Sequence, residues 1–385
     1  MNTSFSSLIL TIFIMSTTVG FSQKTKITNV EWKKAAQLQN ADGSLSLGFA
    51  GPINGISNDV LIVAGGANFP DKMPWEGGKK HYSNEIHILE KAGDDFHWNK
   101  KVTNTLPEAI AYPGNTTTNL GVVYVGGENE NGLSNKAYIL NWNADKNEVE
   151  TKSLPEFPLA ITNIALTHLE NIIYAIGGDE AKQSSDLVFT LDLNAEKPEW
   201  KSLTKLPFAL ANSVSVIQNN KIYVIGGRTK TASGISDLHN TTLVFDLKEQ
   251  TWETKANICD GKTTNFSAGA GVAVGNEYIL ILGGDNGTTF HKIETYLSQI
   301  ASATSEEEKA KLIAEKNILN TTHKGFYNDI LVYNTHTNIW SKIGELPFLA
   351  QVTTTATIWN DKVVLSNGEI KPGIRTPDVM LGTIK

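Results

Sequence analysis

Along this chain, short unbroken apolar runs alternate with runs in which apolar and polar residues take turns. Six of the unbroken runs end in a pair of small residues: LIVAGG closing at Gly66, VVYVGG at Gly127, IIYAIGG at Gly178, KIYVIGG at Gly227, YILILGG at Gly284 and KVVLSNG at Gly368. Runs of this length, bounded by turn residues, predict strands buried on both faces. After a loop, each is followed by a second run: NEIHIL, NKAYIL, DLVFTLDL, TTLVFDL, NDILVYN and PDVMLGTI. Trp98, Trp200, Trp252 and Trp340 then recur at a similar offset, with Val149 in the equivalent place of one repeat. Leu-Pro pairs often come next, at Leu106-Pro107, Leu154-Pro155, Leu206-Pro207 and Leu346-Pro347. A Thr- and Ala-rich stretch such as NTTTNLG or TTTATIW completes the unit and suits an inner strand. Each unit therefore predicts four strands.

A β-rich unit of about 50 residues punctuated by glycine pairs is the signature of kelch-type propeller blades. One blade cannot bury its own faces, so only a closed ring makes a core. The predicted fold is all-β, a six-bladed kelch-type β-propeller. Its sixth unit lacks an outer strand, because the chain ends at Lys385 soon after PDVMLGTI. The segment ITNVEWKKAAQL, with Trp32, precedes every glycine pair and is available to supply that strand. Closure by the N-terminal strand would remove the two open sheet edges.

Composition fits one domain over residues 23–385. The chain is 40% hydrophobic with 32 glycines, and its net charge of −7 argues against nucleic acid, which needs clustered cations. No basic stripe points to a membrane surface. The opening MNTSFSSLILTIFIMSTTVGFSQ carries an apolar stretch, Leu8 to Met15, too short to span a bilayer. It reads as a secretory signal over residues 1–22, with a periplasmic destination. The single cysteine, Cys259, forms no internal disulfide and reads as a small buried hydrophobe.

In a propeller the loops after the glycine pairs emerge on one face. Two are long: ANFPDKMPWEGGKKHY, from Ala67 to Tyr82, and the stretch from Asp285 to Tyr327. The second contains SEEEKAKLIAEKNIL, which predicts a helix with a serine cap and early glutamates, within an insertion in the fifth blade at about residues 287–325. The last blade carries NGEIKPGIRT. Blades five, six and one are neighbours in a closed ring, so these three loops should build one wall of one pocket mouth. The position after each pair is mostly charged: Glu128, Asp179, Arg228, Asp285 and Glu369, with Ala67 the exception. Arg228 and Arg375 are the only arginines in the chain. A guanidinium binds a carboxylate through two parallel hydrogen bonds, which lysine cannot imitate. Glu369 and Arg375, in one Gly/Pro-stiffened loop, are open to two readings on residues alone: a substrate-binding pair, or an ion pair that pins the turn.

These stretches resemble the N-acetylneuraminate epimerases, or sialic acid mutarotases. NGEIKPGIRT is very close to that family's NGEAKPGLRT. GFAGPINGISNDVLIVAGGANF and EGGKKHYSNEIHI are similar to its GGFAGISNDSLIFAGGAGF and EGLKKSYSTDIHL. The helix-bearing insertion ending in FYNDILVYN has a counterpart there too. The blade order is rotated, as in a cyclically permuted branch, and in a ring this leaves the site intact. The resemblance implies an isomerase that interconverts the anomers of N-acetylneuraminate. Glu369 would be its catalytic general acid/base, and Arg375 would hold the substrate carboxylate. Asn68, Lys79, Tyr82 and Glu128 would add substrate contacts, with Glu76 and Lys80 alike in pattern beside them. Arginines that family members carry near the inner strands are absent, the stretches here reading EAIAYPG and FALANS.

The implied chemistry takes a proton from the anomeric hydroxyl and gives one to the ring oxygen, and needs no metal or cofactor. A positioned carboxyl can supply about 10²- to 10⁴-fold. Since an ion pair would oppose a raised carboxyl pKa, Arg375 is expected to engage the sugar rather than pair tightly with Glu369. His81, Tyr82 and Glu128 are candidate second proton carriers. The helical insertion is expected either to cap the pocket or to make a homodimer contact. The competing class is a non-catalytic propeller that binds a protein or glycan partner, because fold does not fix function. Sialidases grip the same sugar with several arginines, and copper oxidases on such rings need a cysteine–tyrosine pair with histidines; neither pattern is present.

Overall fold

The computed structural model describes residues 26–385, so the leader reading for residues 1–22 lies outside the described residues. The alternating runs become six four-stranded antiparallel sheets arranged as the blades of a propeller. Blade one comprises Ile53–Ser57, Val60–Ala64, Ile86–Ala92 and Asp95–Trp98, from the axis outwards. Blades two to five repeat this meander. In blade six the inner three strands are Thr357–Trp359, Lys362–Ser366 and Asp378–Ile384, and the fourth is Val30–Gln37 from the other end of the chain. Val30 stands opposite Ile384 and Gln37 opposite Asp378. The predicted closure is therefore present, and it pairs an edge that would otherwise be open.

The core lies between blades. Six apolar clusters occupy the six interfaces; one joins Ile53 and Ile62 of blade one to Val122 and Tyr124 of blade two, and another joins Leu280 and Val332 of blade five to Val363 and Leu365 of blade six. The recurring tryptophans fasten blades one, three, four and five to the blade before each. The indole N–H of Trp98 donates to the Gln37 carbonyl, that of Trp200 to Pro155, and that of Trp340 to Ala256. An indole offers a large apolar body and one donor, so it can pack and hydrogen-bond across the same seam.

The glycine pairs are required where the chain turns under the next blade. Gly177 has φ +60°, and a Cβ there would stand 2.1 Å from the Leu210 carbonyl oxygen. In the sixth repeat Asn367 takes the first position at φ +59°, and its Oδ1 accepts from the Phe49 N–H at 3.1 Å. Asparagine tolerates the left-handed region better than most residues.

One further feature is a ring within the ring. Gly51, Tyr112, Asn163, Asn212, Ala268 and Thr353, one from each blade junction, all have φ between +52° and +62°. The N–H of each donates to the carbonyl of the one before it, and Gly51 donates to Thr353, at 2.8–3.0 Å throughout. Six backbone hydrogen bonds thus form a closed circuit around the axis. This circuit separates the central channel from the loop face.

Candidate active site

The loop face holds a cavity of about 370 Å³, within the roughly 300–1,000 Å³ range of small-molecule pockets. Its floor is the hydrogen-bonded circuit, through Tyr112, Asn212, Ala268 and Thr353. The three elaborated loops wall it. Trp75 comes from the loop of blade one, Glu369 and Arg375 from blade six, and two helices from the insertion of blade five: α1, Phe290–Ser302, and α2, Glu306–Thr322. Ser305 caps α2 by accepting from the Glu308 N–H, as the sequence indicated. Helix α1 was not legible in advance, since Thr289 makes no side-chain cap and no acidic residue occupies its first turn. It contributes Phe290 and Ile293 to the cavity, and His323 and Phe326 follow α2 into the same wall. The Asn317 amide on α2 donates to the Trp75 carbonyl at 3.4 Å, tying the insertion to the first loop.

Glu369 and Arg375 lie on a short hairpin, Glu369–Lys371 with Ile374–Arg375, and stand opposite each other in its register. Cross-strand partners point to one side, so the two side chains meet. Arg375 Nη1 donates to Glu369 Oε1 at 3.2 Å. This corrects the expectation that the two would stay apart. The ion pair pins the turn and also borders the cavity. Nε of Arg375 donates to the Ala67 carbonyl at 3.2 Å, Nη2 to the Tyr112 hydroxyl at 3.5 Å, and the guanidinium lies 4.8 Å from the centre of the Phe69 ring. Of the five N–H donors on a guanidinium, three are engaged in this way and two are left among the described residues.

Lys80 rather than Lys79 faces the cavity; Lys79 is exposed and outside its lining. The Lys80 ammonium contacts Glu128 at 2.9 Å and sits 4.9 Å from the centre of the Tyr112 ring. Burial alone would lower the Lys80 pKa, yet Tyr112 and Glu128 beside it carry it above the ordinary lysine range. Tyr82 donates its hydroxyl to Glu128 at 2.9 Å, and burial pushes the phenol up to about 12. Tyr82 and Glu128 line a second, polar hollow of about 460 Å³ beside the first, shared with Asp179 and Arg228. Asn68 is buried, and its amide donates to the Gly48 carbonyl at 3.1 Å. Neither Asn68 nor the exposed Glu76 and His81 lines the main cavity.

Arg228, the other arginine, pairs with Asp179 through both terminal nitrogens and borders both hollows. Asp285 lines the main cavity from blade five, where burial first and the nearby charge of Glu369 second raise its pKa. The lining combines three cations, two carboxylates and an aromatic wall, an arrangement suited to a small polar anion with an apolar substituent.

Fold and site together define a six-bladed β-propeller whose loop face encloses a charged cavity of small-molecule size. The family model described as N-acetylneuraminate epimerase matches residues 16–149 and 154–385, and the chain belongs to that family. Among curated relatives, the N-acetylneuraminate epimerase of Vibrio cholerae is 39% identical over 129 residues, covering 31% of this chain and 32% of the relative. Those of Salmonella typhimurium and Yersinia pestis are each 34% identical, over 130 and 107 residues, covering 33% and 28% of this chain and 32% and 26% of the relative. The chain thus spans about a third or less of the length of the curated relatives it matches.

Proposed function

We propose that this protein is a mutarotase that interconverts the α and β anomers of N-acetylneuraminate by opening and reclosing the sugar ring, acting in the periplasm after removal of the leader. The observation that carries this reading is the Glu369–Arg375 pair at the rim of the cavity, in a chain that belongs to the epimerase family. The free N–H groups of Arg375, with Lys80 on the same wall, hold the sugar's carboxylate. The aromatic wall of Trp75, Phe290 and Phe326 receives the N-acyl methyl group. Glu369 accepts the proton of the anomeric hydroxyl as the ring bond breaks, and returns it on reclosure from the other face. Transition-state proton transfer by one positioned group is worth about 10²- to 10⁴-fold.

Exchange NMR at chemical equilibrium measures the anomer interconversion directly. Glu369→Gln should lose about 10²- to 10⁴-fold in rate while still binding the sugar. Arg375→Lys should weaken binding by about tenfold or more, since a hydrogen bond to a charged group contributes about 1.5–3 kcal/mol. Wild-type exchange in both variants would refute the reading.

A further inference from the structure

The reaction needs a proton for the ring oxygen as well as an acceptor for the anomeric proton, and the structure distinguishes among the groups that could give it. Six equivalent positions follow the glycine pairs, each bridged to the segment that precedes its blade's innermost strand: Ala67, Glu128, Asp179, Arg228, Asp285 and Glu369. Four are carboxylates. Glu128 contacts Lys80, Asp179 contacts Arg228 and Glu369 contacts Arg375. Asp285 differs, for among the described residues it has no cation within ion-pair distance. Its Oδ1 accepts from the Gly287 N–H at 2.7 Å, and among the described residues its other oxygen has no donor. Of the four, Asp285 and Glu369 are the two that line the main cavity, from adjacent blades.

We propose that Asp285 is the second proton carrier of this site, donating to the ring oxygen while Glu369 accepts from the anomeric hydroxyl. This rests on the mutarotase reading above. In ring opening, the anomeric O–H proton passes to the Glu369 carboxylate and its electron pair forms the ketone. The bond between the anomeric carbon and the ring oxygen breaks, and the ring oxygen takes the proton of Asp285. Reclosure on the other face reverses both transfers, so each carboxyl regains its starting state.

The electrostatics agree with the assignment. Burial, the charge of Glu369 on the facing hairpin and that of Glu294 on α1 all favour the protonated form of Asp285, and only the Gly287 N–H opposes them. Lys80, Arg228, Arg375 and His323 are the other titratable or charged groups on the cavity wall, together with Tyr112 on its floor. Two carboxyls whose surroundings differ in this sense can divide the acid and base roles. The competing carriers are placed less well. The Tyr82 hydroxyl is held in a hydrogen bond to Glu128, His81 is exposed, and Glu128 is engaged by both Lys80 and Tyr82. Nδ1 of His323 accepts from the Gly325 N–H, which leaves Nε2–H as its donor, so His323→Gln is the control.

Asp285→Asn keeps the acceptor for Gly287 and removes only the proton, so the fold should survive, which a thermal melt verifies. Exchange NMR with N-acetylneuraminate should show a loss of about 10²-fold or more, with sugar affinity within a few-fold of wild type. An acid works only while protonated, so the wild-type rate should fall as pH rises through the Asp285 titration. That alkaline limb should vanish in Asp285→Asn, and Asp285→Glu should restore part of the rate. Asp285→Asn with wild-type rate and pH profile, while Glu369→Gln is impaired, overturns this assignment and leaves the mutarotase reading standing. Loss of the alkaline limb in His323→Gln instead of Asp285→Asn also overturns it. A wild-type protein that leaves the exchange at its spontaneous rate overturns both.

Discussion

Replacing Arg228 by methionine removes a cation from beside a nearly fully buried carboxylate. The Asp179 side chain is 2% exposed and that of Arg228 11%, so solvent screens the pair only weakly. In the intact protein Asp179 accepts from both terminal nitrogens of Arg228, from Ser184 Oγ at 2.9 Å and from the Asn163 amide at 3.2 Å. Methionine fills much of the volume but leaves the charge with two neutral donors. Breaking a buried pair by removing one partner costs about 3–5 kcal/mol, and the two surviving donors place this site near the lower figure, about 3 kcal/mol. Unfolding entropy of about 2.1 cal/mol/K per residue over the roughly 360 folded residues gives about 0.76 kcal/mol/K, so Tm should drop by about 4 °C. Thermal melts followed by tryptophan fluorescence suit the eight tryptophans of the chain. Adding Asp179→Asn to the same variant removes the stranded charge and should recover most of the loss. A single variant melting within about 1 °C of wild type, or a double variant no more stable than the single, would refute the reasoning.

Two further outcomes follow from local geometry and titration. Gly48 has φ +74°, and a Cβ there would lie 2.0 Å from the carbonyl oxygen of Thr376, the residue after Arg375. Gly48→Ala should therefore cost at least about 1–3 kcal/mol and weaken sugar binding by shifting the Arg375 strand; unchanged melting and affinity would count against that coupling. Burial lowers the pKa of His168, of His239, where Asp237 opposes it, and of His323, where Lys371 adds to it. The unfolded chain then takes up these protons first, so stability should decline as pH falls below about 6.5. Tm measured from pH 7.5 to 5 should slope less steeply in the His168→Gln, His239→Gln double variant, and an unchanged slope would exclude these groups as its source.

The architecture was legible in the sequence because its causes are local. Period-two alternation, glycine pairs and a recurring tryptophan act within a blade's own span, and they specify six repeats wherever the chain places them. Ring closure was legible as well, since a sixth unit short of one strand and a spare strand at the other end admit one pairing without open edges. The same ring argument brought the loops of blades one, five and six together.

Side-chain direction was not legible, because it depends on register and on neighbours distant in sequence. The sequence could not tell that Lys80 turns inward and Lys79 outward, that Asn68 turns to the Gly48 carbonyl, or that Arg228 and Asp179 meet across two blades. It could not set Glu369 against Arg375, which a two-strand register decides. Nor could it single out Asp285, which resembles its equivalents in the linear order but, among the described residues, has no cation within ion-pair distance. Repetition along the chain determined the wheel; which charges meet at its hub was decided by tertiary packing, because electrostatic partnership is a matter of distance in space.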